Sequence, residues 1–297
     1  MTTVAGKVAF VTGGGSGVGF GQASVFAAAG CQVAIADIRQ DHVDEATSLL
    51  AAKGHEVMPV KLDITDREAY TRAADEVEAA LGPIQLLFNT AGVSQFGPMQ
   101  DATPEDWKWQ LDVNLWGVIN GIQVFLPRML ERGDDCHIIN TASMSAFVAL
   151  PGTGLYCTTK MAVRGLSECL AMDLQDTNVR VSLLCPGAVD SNIHEAVLTR
   201  PKHLERTGYY GSDPEVFARL KKVIEVGMKP ERLAGYVLES VEENAFYILP
   251  YPEFRETLEE IHARVMEALA NPEDDPEYEK RAAHGVPGGK KPGESKQ

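Results

Sequence analysis

Val8-Ala9-Phe10-Val11-Thr12-Gly13-Gly14-Gly15-Ser16-Gly17-Val18-Gly19 carries the chain from an apolar run through a glycine-rich turn into a stretch that reads as a helix to about Ala29. Lys7–Thr12 is strand-like. Glycines at the turn permit positive φ and, lacking Cβ, let the backbone approach a ligand closely. The helix start beyond offers free N–H groups and partial positive charge, which suits a pyrophosphate. A glycine-rich turn alone is weak evidence; after an N-terminal strand, with an acid ending the next strand, it becomes strong. That acid is Asp37, closing Val33-Ala34-Ile35-Ala36-Asp37.

Working outward, short apolar runs alternate with amphipathic stretches. Gln32–Asp37, Val57–Leu62, Gln85–Asn89, His137–Thr141, Val179–Leu184 and Phe246–Leu249 read as strands. Asp41–Lys53, Asp66–Leu81, Thr103–Arg132, Leu155–Gln175, Pro214–Val226 and Glu231–Glu242 read as helices. Thr103-Pro104-Glu105-Asp106 is a helix start, with an N-cap, a proline at the first position and acids in the first turn. The alternation predicts an α/β fold: a doubly wound parallel sheet (Rossmann fold) with right-handed crossovers. The expected organisation is a single catalytic domain over 1–250, containing an irregular substrate loop at about 188–230. A helical extension follows over 251–271. Its stripe of Phe254, Leu258, Ile261, Val265 and Leu269 is read either as a cover for the substrate loop or as a core cap. Residues 272–297, acidic and then rich in Gly, Pro and Lys, are expected to be largely disordered.

The 297 residues are 44% hydrophobic and 23% charged, an ordinary globular composition. A formal net charge of −15 disfavours nucleic acid and anionic membranes as partners. The five cysteines form no close CxxC pair, so reduced thiols in a cytoplasm are expected. Neither a signal-peptide pattern nor a membrane-length apolar segment is present, so a soluble cytoplasmic protein is expected.

A carboxylate at Asp37 can accept hydrogen bonds from an adenosine ribose diol and would repel a 2′-phosphate. NAD is therefore favoured over NADP, although Arg39 could soften the rejection. At the other end of the domain, Tyr156 and Lys160 are one helical turn apart, with Ser143 upstream. A phenol normally titrates near pH ~10, and an ammonium on the same helix face favours the phenolate. Taken singly, Tyr156 and Lys160 could be a surface pair, Ser143 a strand-end cap and Asn114 a polar group inside a helix.

Together these motifs resemble the classical short-chain dehydrogenase/reductase family, from roughly Val4 to Pro250. Thr12 to Gly19 is similar to its T-G-x-x-x-G-x-G pattern. Asp63, followed by Ile64, matches the acid that meets adenine. Asn89-Thr90-Ala91-Gly92 matches the N-N-A-G element, with Thr replacing the second Asn. Pro186-Gly187-Ala188-Val189 matches the segment beside the nicotinamide, and Ser191 stands where a Thr is usual. The resemblance implies a cofactor site of Gly13, Ser16, Gly17, Val18, Gly19, Asp37, Asp63, Ile64, Asn89, Ala91, Gly92, Tyr156, Lys160, Pro186, Gly187, Val189 and Ser191. It implies a catalytic set of Asn114, Ser143, Tyr156 and Lys160. Tyr156 as phenolate takes the alcohol proton while hydride leaves the same carbon, and Ser143 hydrogen-bonds the substrate oxygen. Lys160 lowers the Tyr156 pKa and binds the nicotinamide ribose, and Asn114 holds a relay water. A homodimer or homotetramer is also implied.

Gly19-Phe20-Gly21-Gln22, Ala36-Asp37-Ile38-Arg39-Gln40-Asp41-His42, Gly227-Met228-Lys229-Pro230 and Ile248-Leu249-Pro250-Tyr251-Pro252-Glu253 resemble one bacterial subgroup. Its members, the Cα-dehydrogenases, oxidise the benzylic alcohol of lignin-derived aryl ethers with NAD. Candidate pocket residues are Ser94, Gln95, Phe96, Phe147, Val148, His194, Tyr209, Tyr210 and Phe217. Phe96, Phe147 and His194, with Ser143, are singled out for substrate. Their apolar, aromatic bias suits a hydrophobic secondary alcohol. Arg200, Lys202 and Arg206 could instead bind an anion or be solvated loop charge. His194 and His203 have no acid or Cys partner at useful spacing, so no metal is expected. Two further readings stay open: an NADPH-dependent carbonyl reductase of a polar metabolite, and a non-catalytic NAD(H)-sensing protein.

Overall fold

The computed structural model describes residues 3–204, 208–211 and 221–283. The chain divides into two compact units, Met1–Glu253 and Phe254–Gln297.

The first unit is built on a seven-stranded sheet: β1 (Val8–Thr12), β2 (Gln32–Asp37), β3 (Val57–Lys61), β4 (Ile84–Asn89), β5 (Cys136–Thr141), β6 (Val179–Leu184) and β7 (Tyr247–Ile248). The spatial order is β3-β2-β1-β4-β5-β6-β7, and every neighbouring pair is parallel. All residues of β1 and β5 are buried, as strands covered on both faces must be. The helices between them are α1 (Gly17–Ala28), α2 (Gln40–Ala52), α3 (Arg67–Leu81), α4 (Pro104–Leu111), α5 (Gly117–Arg132), α6 (Gly154–Asp173) and α7 (Pro230–Glu243). An aromatic cluster of Phe10, Tyr70 and Phe125 joins β1 to α3 and α5, with ring centroids 5.1–5.9 Å apart. The strand order reverses between β1 and β4, the place where sheets of this kind open a crevice for a ligand. There Gly13 and Ala91 approach so closely that a Cβ on Gly13 would lie 2.8 Å from the Ala91 Cα.

The structure departs from the sequence reading in three places. Thr103–Arg132 is not one helix: α4 and α5 are separated by a π-helical turn, Asp112–Trp116. The predicted loop is tighter than its composition suggests, with 3-10 turns at Ile193–Thr199, Lys202–Leu204 and Gly208–Gly211. Residues 221–225 are helical; the rest of the predicted helix Pro214–Val226, up to residue 220, lies outside the described residues, as does the tail from residue 284. The second unit holds α8 (Arg255–Glu267) and α9 (Tyr278–Ala283), with a 3-10 turn at Pro272–Asp274. Structure therefore persists into the acidic stretch that composition predicts to be disordered. No helix among the described residues is long and apolar enough to cross a membrane.

Candidate active site

A cleft of about 470 Å3 opens at the switch point. Gly13, Ser16, Gly17, Val18, Gly19, Asp37, Asp63, Ile64, Ala91, Gly92 and Ser191 all line it. Gly13 has φ 66°, a left-handed conformation that glycine adopts without strain. Ser16 precedes α1 with no side-chain capping hydrogen bond, so the first-turn N–H groups are not consumed by a cap. A Cβ on Gly17 would sit 2.6 Å from that of Ser191, so a side chain there has no room. Asp37 accepts hydrogen bonds from the backbone N–H of Gly15 (3.3 Å) and Arg39 (3.0 Å). A glycine cradle, an uncapped helix start and a terminal carboxylate form the donor and acceptor set a dinucleotide requires, so the residues present fit such a cofactor.

Not every expected cofactor residue lines this cleft. The Asn89 side chain is 2% exposed and faces inward: it donates to the Asn140 Oδ1 (2.9 Å) and accepts from the Tyr70 hydroxyl (3.3 Å). It therefore supports β4 from behind. Pro186, Gly187 and Val189 lie beyond the cleft wall, where the Pro186 carbonyl accepts from the Met144 N–H (2.8 Å) and Val189 bridges to Met228.

Lys160 and Asn114 meet next to Gly92, a residue of the cleft, and Tyr156 lies one helical turn before Lys160. A Cβ on Gly92 would be 3.2 Å from the Asn114 Oδ1 and 3.5 Å from the Lys160 Nζ. Asn114 is fully buried within the π-turn and fastens the loop that follows β4. Its Oδ1 accepts from the Val93 N–H (2.8 Å), and its Nδ2 donates to the Val93 carbonyl (2.9 Å) and the Thr159 Oγ1 (3.1 Å). A π-turn widens the helix by one residue, which is how such turns present side chains at functional sites. Lys160, on α6, donates to the Thr141 carbonyl (3.1 Å), with its Nζ 5.6 Å from the Tyr156 ring centre. Ser143 follows β5; its Oγ lies 3.4 Å from the Pro186 carbonyl and accepts from the Ser145 N–H (3.1 Å). Ser143 is thus both a turn cap and a neighbour of the phenol.

Burial pushes the Tyr156 phenol up to about 12, with the Ser143 hydroxyl pulling the other way. Burial also pushes the Lys160 amine down to about 8. The net shift of the phenol is upward, so burial outweighs whatever the neighbouring amine contributes. The Nζ is held on the Thr141 carbonyl rather than on the phenol oxygen, and desolvation dominates both groups.

Among the substrate candidates, Phe96 meets the Tyr156 ring edge-on, 5.6 Å between centroids. Phe147 is engaged elsewhere: the Arg164 guanidinium lies 4.0 Å from its ring centre and Tyr247 packs at 6.2 Å. His194 Nδ1 is 3.3 Å from the Ser191 carbonyl. Arg200 is neither solvated nor an anion receptor. Its side chain is buried and ion-paired to Asp106 (2.7 Å), and it donates to the Gln95 Oε1 (2.7 Å) and the Leu204 carbonyl (2.7 Å). Tyr209 donates its hydroxyl to the Gly97 and Pro98 carbonyls (2.8 and 2.7 Å), so it closes the loop rather than lining a free pocket. Phe217, Arg206 and the Tyr210 side chain lie outside the described residues. The sequence reading missed Glu195, Trp109 and Val113, which all line the cleft. The Trp109–Val113 spacing on α4 and the π-turn is the only local signal that marks any of them.

The comparisons agree with this geometry. The family model for short chain dehydrogenase matches residues 7–202. A C alpha-dehydrogenase from Sphingobium sp. is 43% identical over 272 residues, covering 91% of this chain and 89% of its own. The crystal structure of LigO in its apo form, from Sphingobium sp. strain SYK-6, is 51% identical with a TM-score of 0.80, covering 96% of both chains. A short chain dehydrogenase/reductase from Burkholderia phymatum, crystallised in complex with NAD, is 33% identical with a TM-score of 0.86, covering 91% of this chain and 98% of its own. With the glycine cradle, the switch-point cleft and the Ser143, Tyr156 and Lys160 group in one unit, the chain belongs to the short chain dehydrogenase family of oxidoreductases.

Proposed function

We propose that this oxidoreductase transfers hydride reversibly between a hydrophobic secondary alcohol and NAD, with a benzylic alcohol of the aryl-ether type as its substrate class. The observation that carries the proposal is the juxtaposition at Gly92: the dinucleotide cleft ends where Lys160 and Asn114 begin, with Tyr156 on the same helix face as Lys160. The bound dinucleotide would supply the hydride acceptor or donor, chemistry no side chain provides. The protein supplies the proton path and the positioning. Tyr156 exchanges a proton with the substrate oxygen, and Ser143 hydrogen-bonds that oxygen. With its phenol at about 12, Tyr156 is protonated at neutral pH and is ready to donate to a carbonyl. Alcohol oxidation needs the phenolate, which a charged Lys160 favours, and Lys160 is charged below about 8.

Asp37 at the ribose end supports NAD as the cofactor. The edge-on Phe96 beside Tyr156 supports an aromatic group next to the reacting carbon, since such ring pairs contribute ~0.5–1.5 kcal/mol beyond burial. The burial of Arg200 against Asp106 removes one cation that an anionic substrate could use. The relative named as a C alpha-dehydrogenase points the same way. The test is a panel of benzylic aryl ethers, steroids and sugar alcohols, read by NADH fluorescence with NAD and with NADP. Turnover of sugar alcohols above the benzylic compounds would sink the substrate class, and preference for NADP would sink the cofactor assignment.

A further inference from the structure

Arg39 and Glu195 come from opposite sides of the cleft, and both line it. Arg39 follows β2, two residues past Asp37. Glu195 sits in the 3-10 turn Ile193–Thr199, on the segment that continues from Ser191. The Arg39 Nη1 meets the Glu195 Oε2 at 2.7 Å. The other edge of the same guanidinium is occupied by Asp41: Nε to Oδ1 at 3.2 Å and Nη2 to Oδ2 at 2.5 Å. The His42 Nε2 lies 3.9 Å from the same Glu195 oxygen. Meanwhile the Arg39 backbone N–H donates to the Asp37 carboxylate, so the cation hangs beside the acid that would face the adenosine ribose.

A guanidinium next to such an acid is the group that can accommodate a 2′-phosphate, because its planar fork matches phosphate oxygens. Here both edges of that fork are held by carboxylates. We propose that Glu195 is a cofactor-specificity residue: it withdraws the Arg39 guanidinium from a 2′-phosphate and adds a third carboxylate, with Asp37 and Asp41, to the charge that repels one. The inference rests on the NAD assignment above and deepens it, because it places part of the choice on the substrate-side segment rather than on β2 alone. The Glu195 side chain is 36% exposed and that of Arg39 23%, so the effect is that of a solvent-screened pair and is modest.

The test is calorimetric titration of the purified full-length protein with NADH and with NADPH, which needs no substrate. Wild type, Glu195→Gln, Arg39→Ala and the double variant are compared. Glu195→Gln should narrow the NADPH-to-NADH ratio of dissociation constants by roughly three- to tenfold, mostly by tightening NADPH. Adding Arg39→Ala to Glu195→Gln should remove that gain. An unchanged ratio in Glu195→Gln, including an equal weakening of both cofactors through a loosened segment, overturns the proposal while leaving the NAD assignment standing. A gain that survives in the double variant overturns the role given to Arg39. If wild type itself binds NADPH more tightly than NADH, the NAD assignment fails, and this inference falls with it.

Discussion

Breaking the buried pair of Arg200 and Asp106 should detach the segment over the cleft, and the two halves of the pair should not cost the same. Both side chains are fully buried and 2.7 Å apart. Asp106 also accepts from the Thr103 N–H (2.9 Å) and Oγ1 (3.1 Å) and from the Tyr209 N–H (3.2 Å). Arg200→Met therefore leaves a carboxylate that keeps three neutral donors. Asp106→Asn leaves a guanidinium facing the Gln95 and Leu204 oxygens, and a guanidinium cannot shed its charge. Removing one partner of a buried pair costs about 3–5 kcal/mol, so Asp106→Asn should lie at the upper end and Arg200→Met at or below the lower end. The double variant should cost less than the sum, because neither group is then stranded.

Where that energy appears depends on what unfolds. If the whole unit responds, Tm falls by roughly 10–20 °C for Asp106→Asn, at ~2–4 °C per kcal/mol. If only residues 191–211 open, the guanidinium regains water locally, Tm barely moves, and the segment becomes a protease target. Thermal melts paired with thermolysin digestion, which does not depend on the arginine, separate the two cases. Wild-type Tm together with wild-type digestion in both single variants would show that the pair holds nothing. Equal costs for the two variants would refute the argument from the partners each group keeps.

Other outcomes follow from the same geometry. Tyr156→Phe should keep NADH binding within about threefold yet lose ~10²–10⁴ of turnover, the usual contribution of a positioned acid–base group; wild-type turnover would remove Tyr156 from the chemistry. Gly17→Ala should abolish dinucleotide binding by calorimetry without unfolding the sheet, since its Cβ would overlap Ser191 and its φ is +50°. Lys160, 4% exposed, falls from 10.5 to about 8 on burial, so its charged form opposes folding below pH 8 and that opposition fades as pH rises from 8 to 10.5. At 1.4 kcal/mol per pKa unit, Lys160→Met should gain about 3 kcal/mol over wild type in urea unfolding at pH 7, and the gain should shrink by pH 10; a pH-independent difference would refute the assignment.

What the sequence disclosed was local. The strand and helix alternation, the turn at Gly13–Gly19 and the Thr103 capping box are each written within a few residues, where propensity and sterics act. The Tyr156 and Lys160 pairing was legible because a helix sets its own spacing. The π-turn carrying Asn114 was not, because nothing in Asp112-Val113-Asn114-Leu115-Trp116 distinguishes it from α-helix. Its reason is tertiary: the Asn114 side chain replaces a strand neighbour for both backbone groups of Val93. The net upward shift of the Tyr156 phenol has a similar tertiary origin. Spacing gives proximity, whereas the direction of the amine is decided by the Thr141 carbonyl.

The segment after Pro186 makes the limit plain, and explains it. It has little hydrophobic periodicity because few of its contacts follow a helix or strand repeat. It is fixed instead at separate points: Ser191 against Gly17, Glu195 on Arg39, and Arg200 on Asp106, while Ala196 and Leu204 pack with Val93 and Trp109. Each charged partner lies far along the chain, so no window of sequence contains both halves of a contact. The anchors touch, in turn, the phosphate turn, the ribose end and the α4 side of the cleft. Substitutions at Glu195 should therefore be read for both the dinucleotide preference and the thermolysin digestion rate, since Glu195 and Arg200 anchor one segment.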